Sequence, residues 1–132
     1  MGLLEALGRV GFLEGREPTL MHLLHSLKGC EKQEWRWDWD PDKVGECETK
    51  PLGVMLALEP NTLFRVWEDG KLHVITLGPG DVLLFEGDVL HAGADYPDAC
   101  NTRVHLYLDV PALTRTPNSN WYPGASHGCW SK

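Results

Sequence analysis

The sequence predicts a mainly β protein, built as a β-sandwich or a barrel. Residues 34–40 alternate aromatic and charged side chains, as a strand with two unlike faces does. The Asp-Gly pair at 69–70 predicts a two-residue hairpin between two apolar runs. Short strand-like runs separated by Pro, Gly, Asn and Asp recur along the chain, and this spacing is typical of sandwiches and barrels rather than of an open sheet.

The first 29 residues predict two helices, Leu3–Val10 and Pro18–Leu27. The second begins with a proline, carries leucines at i, i+3, i+4 and i+7, and is followed by a glycine, which together indicate a helix with one apolar face. His22 and His25 flank that apolar stripe. We therefore expect them at the edge of a packed helix rather than on a metal.

The remainder of the chain predicts strands followed by an irregular tail. Strands are expected near 34–40, 52–58, 62–68, 71–77, 82–86 and 102–110. The tail from Pro111 is rich in Pro, Asn and Ser and has no periodicity, so we expect it to wrap the outside of the sheet, held by Trp121, Tyr122 and Trp130. The expected organisation is one domain, with a helical segment at 1–29, a β core at 30–112 and a tail at 113–132.

Composition narrows the function classes. The 132 residues are enough to bury a core. The net charge of −7, from 12 basic and 19 acidic residues, argues against sequence-independent nucleic-acid binding, which needs a basic surface. Because no apolar run is long enough to span a bilayer and the start lacks a secretory signal, we expect a cytoplasmic protein without a membrane partner. A small-molecule ligand is the expected partner, and a homo-oligomer formed through an outer sheet face is an open alternative.

The cysteines favour an intracellular protein with reduced thiols. All four lie far apart and no C-x-x-C pair occurs. A disulfide between Cys30 and Cys47 is the alternative. The Ser-His-Gly-Cys stretch at 126–129 supplies only two zinc ligands, whereas a structural zinc site needs four. A zinc site is therefore not expected.

Candidate chemistry concentrates in residues 77–111. A turn at 87–88 leads to His91, which three small residues follow, and Arg103 comes twelve residues later on an alternating strand. On that strand Arg103, His105 and Tyr107 share one face, while Val104, Leu106 and Leu108 share the other. The alternative for His91 is a hydrogen-bonded histidine at a strand end.

The stretch "GDVLLFEGDVLHAGADY…NTRVHLYLD" resembles the second half of the double-stranded β-helix in the cupin superfamily. It is most similar to the non-haem iron, 2-oxoglutarate-dependent oxygenases of the prolyl-hydroxylase and phytanoyl-CoA-hydroxylase kind. The resemblance implies a jelly-roll fold with short N-terminal helices, with His91 as a metal ligand. It implies Arg103 as the group that binds the 2-oxoglutarate carboxylate, with His105 and Tyr107 on the same strand face as further cofactor-binding residues. Fe(II) and 2-oxoglutarate are the cofactors that the resemblance implies.

The opening stretch departs from that family. Its first metal motif is His-x-Asp, preceded by a glutamine, and this chain has Gln33, Arg36 and Asp38 in the same frame. Asp38 keeps the carboxylate position, but an arginine stands where the histidine is expected and cannot act as a ligand. An inward guanidinium would repel a divalent cation by several kcal/mol at an effective dielectric constant of about 20. The resemblance therefore predicts Asp38 and His91 as metal ligands of a weakened or absent site.

Three alternatives stay open for the alignment of Gln33, Arg36 and Asp38 with the first metal motif. His105 would complete an irregular ligand set with Asp38 and His91. His73 would do so if its strand turned it inward. Otherwise the frame is shifted and Arg36 faces solvent, where its ion pair with Asp38 contributes little to stability.

For the strand at 34–40 we expect Arg36 and Asp38 to face the interior of the barrel. Its three tryptophans would then pack under the N-terminal helices and the tail. Arg65 is expected as an exposed cross-strand charge, with a second pocket cation as the alternative. Asp40 and Asp42 are expected as turn or solvent-facing carboxylates.

These residues lead to two functional hypotheses. The first is an oxygenase-like protein with a metal- or carboxylate-binding pocket that hydroxylates a small molecule or a protein side chain. The alternative is a catalytically degenerate, metal-free module that binds a small anionic ligand or a protein partner. Arg36 supports the alternative, because it removes a metal ligand and adds an anion-binding group.

Overall fold

The computed structural model describes residues 2–116 and 120–123, in which two helices and eight strands form two antiparallel sheets. The helices are α1 (Leu3–Arg9) and α2 (Pro41–Glu46). The strands are β1 (Glu17–Pro18), β2 (His22–Ser26), β3 (Leu52–Ala57), β4 (Thr62–Glu68), β5 (Lys71–Leu77), β6 (Val82–Glu86), β7 (Leu90–Gly93) and β8 (Asn101–Asp109). No helix among the described residues has both the length and the apolar character needed to cross a membrane.

The two sheets differ in size. The larger has the order β1-β8-β3-β6, with β2 also paired to β8, and the smaller has the order β5-β4-β7. Five of the six predicted strands are confirmed as β3, β4, β5, β6 and β8. The predicted strand at 34–40 is not a ladder strand, because it forms only isolated bridges, from Arg36 to His91 and from Trp37 to Trp121.

The predicted helix at Pro18–Leu27 is wrong. Residues of β2 pair with β8 in antiparallel register, for example Leu24 with Arg103. Along β2, Leu24 is half-buried while Leu23 is 69% exposed, which is the alternation of a strand. Pairing along β8 thus overrides the helical spacing of the leucines, and β1 and β2 of the large sheet lie within the segment expected to be helical.

A short helix replaces the end of the predicted opening strand. Pro41 occupies the first helical turn of α2, and the Asp40 carboxylate accepts a hydrogen bond from the Asp42 backbone N–H at 3.1 Å. This is an N-cap in which proline fixes the first turn. Asp40 is therefore a helix cap and Asp42 is exposed.

The alternation of β8 decides what faces the space between the sheets. Leu106 and Leu108 are fully buried with Leu7 of α1 on the outer face of the large sheet. Residues of the opposite parity on β8 consequently point inward. A second apolar cluster joins strands of both sheets and contains Met55, Ala57, Phe64, Val66, Leu77 and Phe85.

The cysteines and the tail complete the fold. Cys30, Cys47 and Cys100 are free thiols, so the alternative disulfide between Cys30 and Cys47 is wrong. Trp121 pairs through its backbone with Trp37, and Tyr122 is buried. Trp130 and the stretch 126–129 lie outside the described residues.

Candidate functional site

A cavity of about 220 Å³ opens between the two sheets, and the predicted site residues lie on its wall. They come from the irregular segment before α2, from β7 and from β8. They are Arg36, Asp38, His91, Arg103, His105 and Tyr107. The structure thus brings into one cavity residues that are up to 71 positions apart in the sequence.

Asp38 and His91 form the buried centre of this wall. His91 Nε2 lies 3.1 Å from Asp38 Oδ2, and the two side chains are only 4% and 3% exposed. The segment carrying Asp38 is anchored to β7 by two backbone hydrogen bonds between Arg36 and His91, at 2.8 and 3.1 Å. This backbone bridge explains how a segment outside the sheets delivers a carboxylate to the histidine.

The His91 ring is fixed by packing as well as by polar contacts. It stacks on Phe64, with ring centroids 5.3 Å apart, and lies 4.8 Å from the Phe85 centroid. Its Nδ1 lies 3.0 Å from the Val89 carbonyl oxygen. The apolar cluster between the sheets therefore holds the imidazole in one orientation towards Asp38.

The surroundings of Asp38 favour its ionised form. Burial is the largest single influence and by itself raises the pKa of Asp38. The charge and hydrogen bonding of His91, followed by the charges of Arg36 and His105, lower that pKa and together outweigh the effect of burial. The net result is a pKa below the ordinary value for aspartate. Asp38 therefore supplies one full negative charge to the cavity at neutral pH.

Arg36 is held beside this carboxylate by a glutamine. Its Nη1 donates to Gln33 Oε1 at 2.8 Å, while its buried Nε lies 3.8 Å from Asp38 Oδ1 and has no hydrogen-bond partner within the described residues. A Cβ on Gly93 would lie 2.5 Å from Gln33 Oε1, so the glycine leaves the space that this amide occupies. The Arg36 guanidinium is thus positioned in the cavity without being neutralised by a hydrogen-bonded ion pair.

Arg103 is more deeply buried than Arg36 and forms no ion pair with a carboxylate of the described residues. The residue is 6% exposed, and its Nη1 donates to Ser26 Oγ at 3.1 Å and to Asn101 Oδ1 at 3.4 Å. Its Cζ lies 5.4 Å from the Tyr96 ring centroid. Within the described residues no carboxylate lies within 4.0 Å of it and its Nε has no partner. An uncompensated buried charge costs several kcal/mol, so this arrangement favours an anionic ligand.

His105 and Tyr107 contribute neutral groups. Burial lowers the pKa of His105 to about 4, against an opposing effect of Asp38. Burial likewise raises the pKa of Tyr107. The two rings meet edge to face, with centroids 4.5 Å apart. At neutral pH they therefore add shape and hydrogen-bonding capacity rather than charge.

The donor set does not fit a three-ligand iron site. A facial triad needs two histidines and a carboxylate, and residues 2–116 and 120–123 contain no group of three or more His, Cys, Asp or Glu side chains that could hold a metal. His105 therefore does not complete a set with Asp38 and His91. His73 is exposed on β5 and is not part of the cavity wall. Metal binding by Asp38 and His91 alone stays a prediction.

Both expectations for Arg65 are wrong. It is neither an exposed charge nor a cavity cation, since it is 7% exposed and its guanidinium donates to the carbonyl oxygens of Gly93 and Gln33. Its Cζ also lies 4.8 Å from the Trp35 ring centroid. Arg65 therefore joins the segment that carries Gln33 to the end of β7.

The tryptophans of the opening stretch do not pack under the N-terminal helices. Trp39 is 1% exposed and packs with Val44, Val110 and Leu113, while its Nε1 donates to Asp109 Oδ1 at 3.0 Å. Trp37 Nε1 donates to the Asp88 carbonyl oxygen. The expected helix at 18–27 does not exist, so the tryptophans contact strands, α2 and the tail instead.

Sequence reasoning missed the contribution of β2 to the cavity. Ser26 holds Arg103, and His25 lines the wall with its Nδ1 2.7 Å from Thr102 Oγ1. The misassigned helix concealed both residues. The sequence signal that could have revealed them is the two-residue spacing of Leu24 and Ser26, which places both side chains on one face if the stretch is a strand.

Comparison with known proteins identifies the fold. No family model and no curated protein matches the chain, but solved structures do. AviO1 from Streptomyces viridochromogenes Tue57 aligns with a TM-score of 0.68 at 15% identity, over 86% of this chain and 60% of that one. A Pseudomonas putida prolyl-4-hydroxylase aligns with a TM-score of 0.60 at 17% identity, over 83% and 61%. The nickel complex of the non-heme monooxygenase ThoJ aligns with a TM-score of 0.61 at 14% identity, over 97% and 59%.

These similarities confirm the predicted fold class, a mainly β, cupin-like sandwich of antiparallel strands. Identities of 14–17% establish the fold alone. The chain spans about 60% of the length of each of these structures.

Proposed function

We propose that this chain is a cupin-like module whose cavity binds a small carboxylate anion through Arg103, without a three-ligand iron site. The observation that carries the proposal is the burial of Arg103 with an unpartnered Nε and no carboxylate within 4.0 Å among the described residues. A guanidinium fork matches the two oxygens of a carboxylate, and the low dielectric of the cavity strengthens that interaction.

The charge balance of the cavity supports an anion. The cavity wall carries two guanidinium groups, Arg36 and Arg103, and one carboxylate, Asp38. That carboxylate is already in contact with His91. His105 is neutral at physiological pH because its pKa is about 4. The wall therefore carries excess positive charge although the chain as a whole has a net charge of −7. Such a cavity attracts small anions while the protein surface repels large ones.

The test is calorimetric titration of the purified chain with 2-oxoglutarate in a buffer containing a metal chelator. We expect saturable binding to the wild type and a loss of at least about tenfold in affinity for Arg103→Gln, because charge-assisted hydrogen bonds contribute about 1.5–3 kcal/mol. Arg9→Gln is the matched control, since Arg9 lies on the exposed surface of α1 and pairs with Glu5 one turn away. No binding, or binding that Arg103→Gln leaves unchanged, would refute the proposal.

The second candidate is an oxygenase-like protein with a weak metal site on Asp38 and His91. The 3.1 Å contact between these two side chains favours it, because it places two ligand types of a non-haem iron site side by side. The structural neighbours include a non-heme monooxygenase crystallised with nickel. When bound, iron would supply the activation of dioxygen. The Arg36 charge opposes this candidate.

Titration with Mn(II) distinguishes the two candidates. The first predicts no uptake by the wild type at tens of micromolar metal and a gain of uptake in Arg36→His, which removes the repelling charge and adds an imidazole at the same position. Uptake by the wild type that is lost in His91→Ala would instead establish the second candidate.

A further inference from the structure

The guanidinium groups of Arg36 and Arg103 are held in the same way. In each, the hydrogen bonds within the described residues come from Nη1 alone, to Gln33 Oε1 for Arg36 and to Ser26 Oγ and Asn101 Oδ1 for Arg103. In each, Nε is buried and has no hydrogen-bond partner among those residues. The protein thus fixes one end of each group and leaves the opposite edge unused.

That unused edge is the one suited to a carboxylate. Nε and Nη2 of an arginine carry parallel N–H groups along the same edge of the guanidinium, in its plane, and this pair matches the two oxygens of a carboxylate. Arginine presents five donors in a rigid fork, so pinning Nη1 orients Nε and Nη2 without consuming them. Arg36 and Arg103 both line the same cavity, and the Nε/Nη2 edge of each makes no hydrogen bond to the described residues.

Asp38 does not neutralise the Arg36 site. The 3.8 Å between Arg36 Nε and Asp38 Oδ1 is too long for a hydrogen bond, and the other oxygen, Oδ2, faces His91 at 3.1 Å. The Arg36 side chain is 27% exposed, compared with 3% for Asp38, so the arginine is the accessible member of the pair. An incoming anion can therefore reach Arg36 without displacing Asp38 from His91.

We propose that Arg36 is a second anion-binding residue and that the ligand is a short dicarboxylate, with one carboxylate on Arg103 and the other on Arg36. This inference rests on the proposed function, which requires only the Arg103 end. The cavity of about 220 Å³ is smaller than the roughly 300–1,000 Å³ of sites for drug-sized ligands, so it suits a short aliphatic chain. Met55, Leu63 and Phe64 line the cavity and supply apolar surface for the methylene groups of that chain.

A dicarboxylate held by two guanidinium groups needs no oxo group. Both of its ends are recognised by hydrogen bonds to carboxylate oxygens, so an additional carbonyl on the chain gains no charge-assisted contact from Arg36 or Arg103. Glutarate should therefore bind about as tightly as 2-oxoglutarate, and binding should not require a metal.

The experiment compares ligands of matched chain length by calorimetric titration in the presence of a chelator. Glutarate and pentanoate have the same five-carbon chain and differ in one carboxylate. The wild type should bind glutarate at least about tenfold more tightly than pentanoate, because the second carboxylate adds charge-assisted hydrogen bonds worth about 1.5–3 kcal/mol. Arg36→Gln should remove this preference while keeping the affinity for pentanoate. Arg9→Gln should keep both.

Each outcome has a defined meaning. Equal affinity of the wild type for glutarate and pentanoate would overturn the dicarboxylate inference and leave the proposed function standing. Absence of binding for both ligands would overturn the proposed function itself. Glutarate binding that appears only after addition of Mn(II), or that is at least about tenfold weaker than that of 2-oxoglutarate, would also overturn the inference. The comparison in the wild type needs no variant, and Arg36→Met replaces Arg36→Gln if the latter fails to fold.

Discussion

Two buried arginines, one in each sheet, show how differently the same side chain is used. Arg65 on β4 is 7% exposed and Arg103 on β8 is 6% exposed. Arg65 donates from Nε and Nη2 to the carbonyl oxygens of Gly93 and Gln33, at 2.6–3.2 Å, and lies over Trp35. Arg103 uses only Nη1, towards Ser26 and Asn101, and its Nε is unpartnered within the described residues.

Burial therefore does not separate a framework arginine from the arginine that we propose binds a ligand. The difference lies in which donors are consumed. Arg65 donates from its Nε/Nη2 edge to backbone carbonyl oxygens, whereas Arg103 lines the cavity and its Nε has no hydrogen-bond partner within the described residues. The first arrangement stabilises the fold, and the second leaves a buried charge whose remaining desolvation cost the proposed ligand would offset.

The largest effect is expected from Arg65→Met. This change removes the charge-assisted hydrogen bonds from the guanidinium to the carbonyl oxygens of Gly93 and Gln33, at about 2 kcal/mol for each carbonyl, although the Gly93 oxygen keeps the Gln33 backbone N–H. We expect the free energy of unfolding to fall by about 4 kcal/mol, measured by urea denaturation followed through tryptophan fluorescence. Arg9→Met is the matched control on the exposed surface of α1 and should change it by less than about 0.5 kcal/mol. A loss as small as that of the control would show that Arg65 is not a framework residue.

A somewhat smaller loss of stability is expected when the pH is lowered, through His105, which shares a face of β8 with Arg103. His105 faces Asp38, His91, Arg36 and His22, and burial lowers its pKa from 6.5 to about 4. Between these values the unfolded chain binds a proton that the folded chain does not, so stability is fully present above pH 6.5 and is lost as pH falls towards 4. The loss is at most about 3 kcal/mol, at 1.36 kcal/mol for each pH unit.

Urea denaturation at several pH values between 7 and 4 measures this loss. His105→Gln should flatten the dependence in that window, because the titrating group is gone. His73→Gln, on the exposed face of β5, should leave it unchanged. Asp38 does not interfere, since its pKa is lowered and its contribution is lost only below pH 4. An unchanged slope in His105→Gln would assign the acid sensitivity to another group.

The parts of this molecule that the sequence predicts are those encoded in local patterns. The hairpin between β4 and β5 follows from an Asp-Gly turn between alternating runs, and the inward face of β8 follows from strand parity. The convergence of Asp38, His91 and Arg103 is not local and was implied by the resemblance of their motifs to the 2-oxoglutarate-dependent oxygenases. The strand β2 was missed because its leucines also satisfy helical spacing and only pairing with β8, nearly 80 residues away, decides between the two.

The role of Arg65 was not predictable for a related reason. Its partners are backbone carbonyl groups 28 and 32 residues away, and a carbonyl group carries no residue identity that a sequence motif could reveal. The hydrogen-bonding state of the Nε/Nη2 edge of Arg103 is equally impossible to predict from the sequence, because it depends on where Ser26 and Asn101 place Nη1. Sequence identifies which side chains carry chemistry, whereas the structure shows which of their donors remain unused.

The smallest effect on stability is expected from Arg103→Met, the same substitution as in Arg65→Met at nearly equal burial. It removes a charge that has no carboxylate within 4.0 Å among the described residues, and it frees only the two side-chain acceptors Ser26 and Asn101. Relief of the buried charge offsets the lost hydrogen bonds, so the free energy of unfolding should change by less than about 1 kcal/mol. The increase in melting temperature that we expect 2-oxoglutarate to produce in the wild type should at the same time disappear. If Arg103→Met instead destabilises the protein as strongly as Arg65→Met while the ligand still raises the melting temperature, Arg103 is a second framework arginine and the contrast between the two residues is lost.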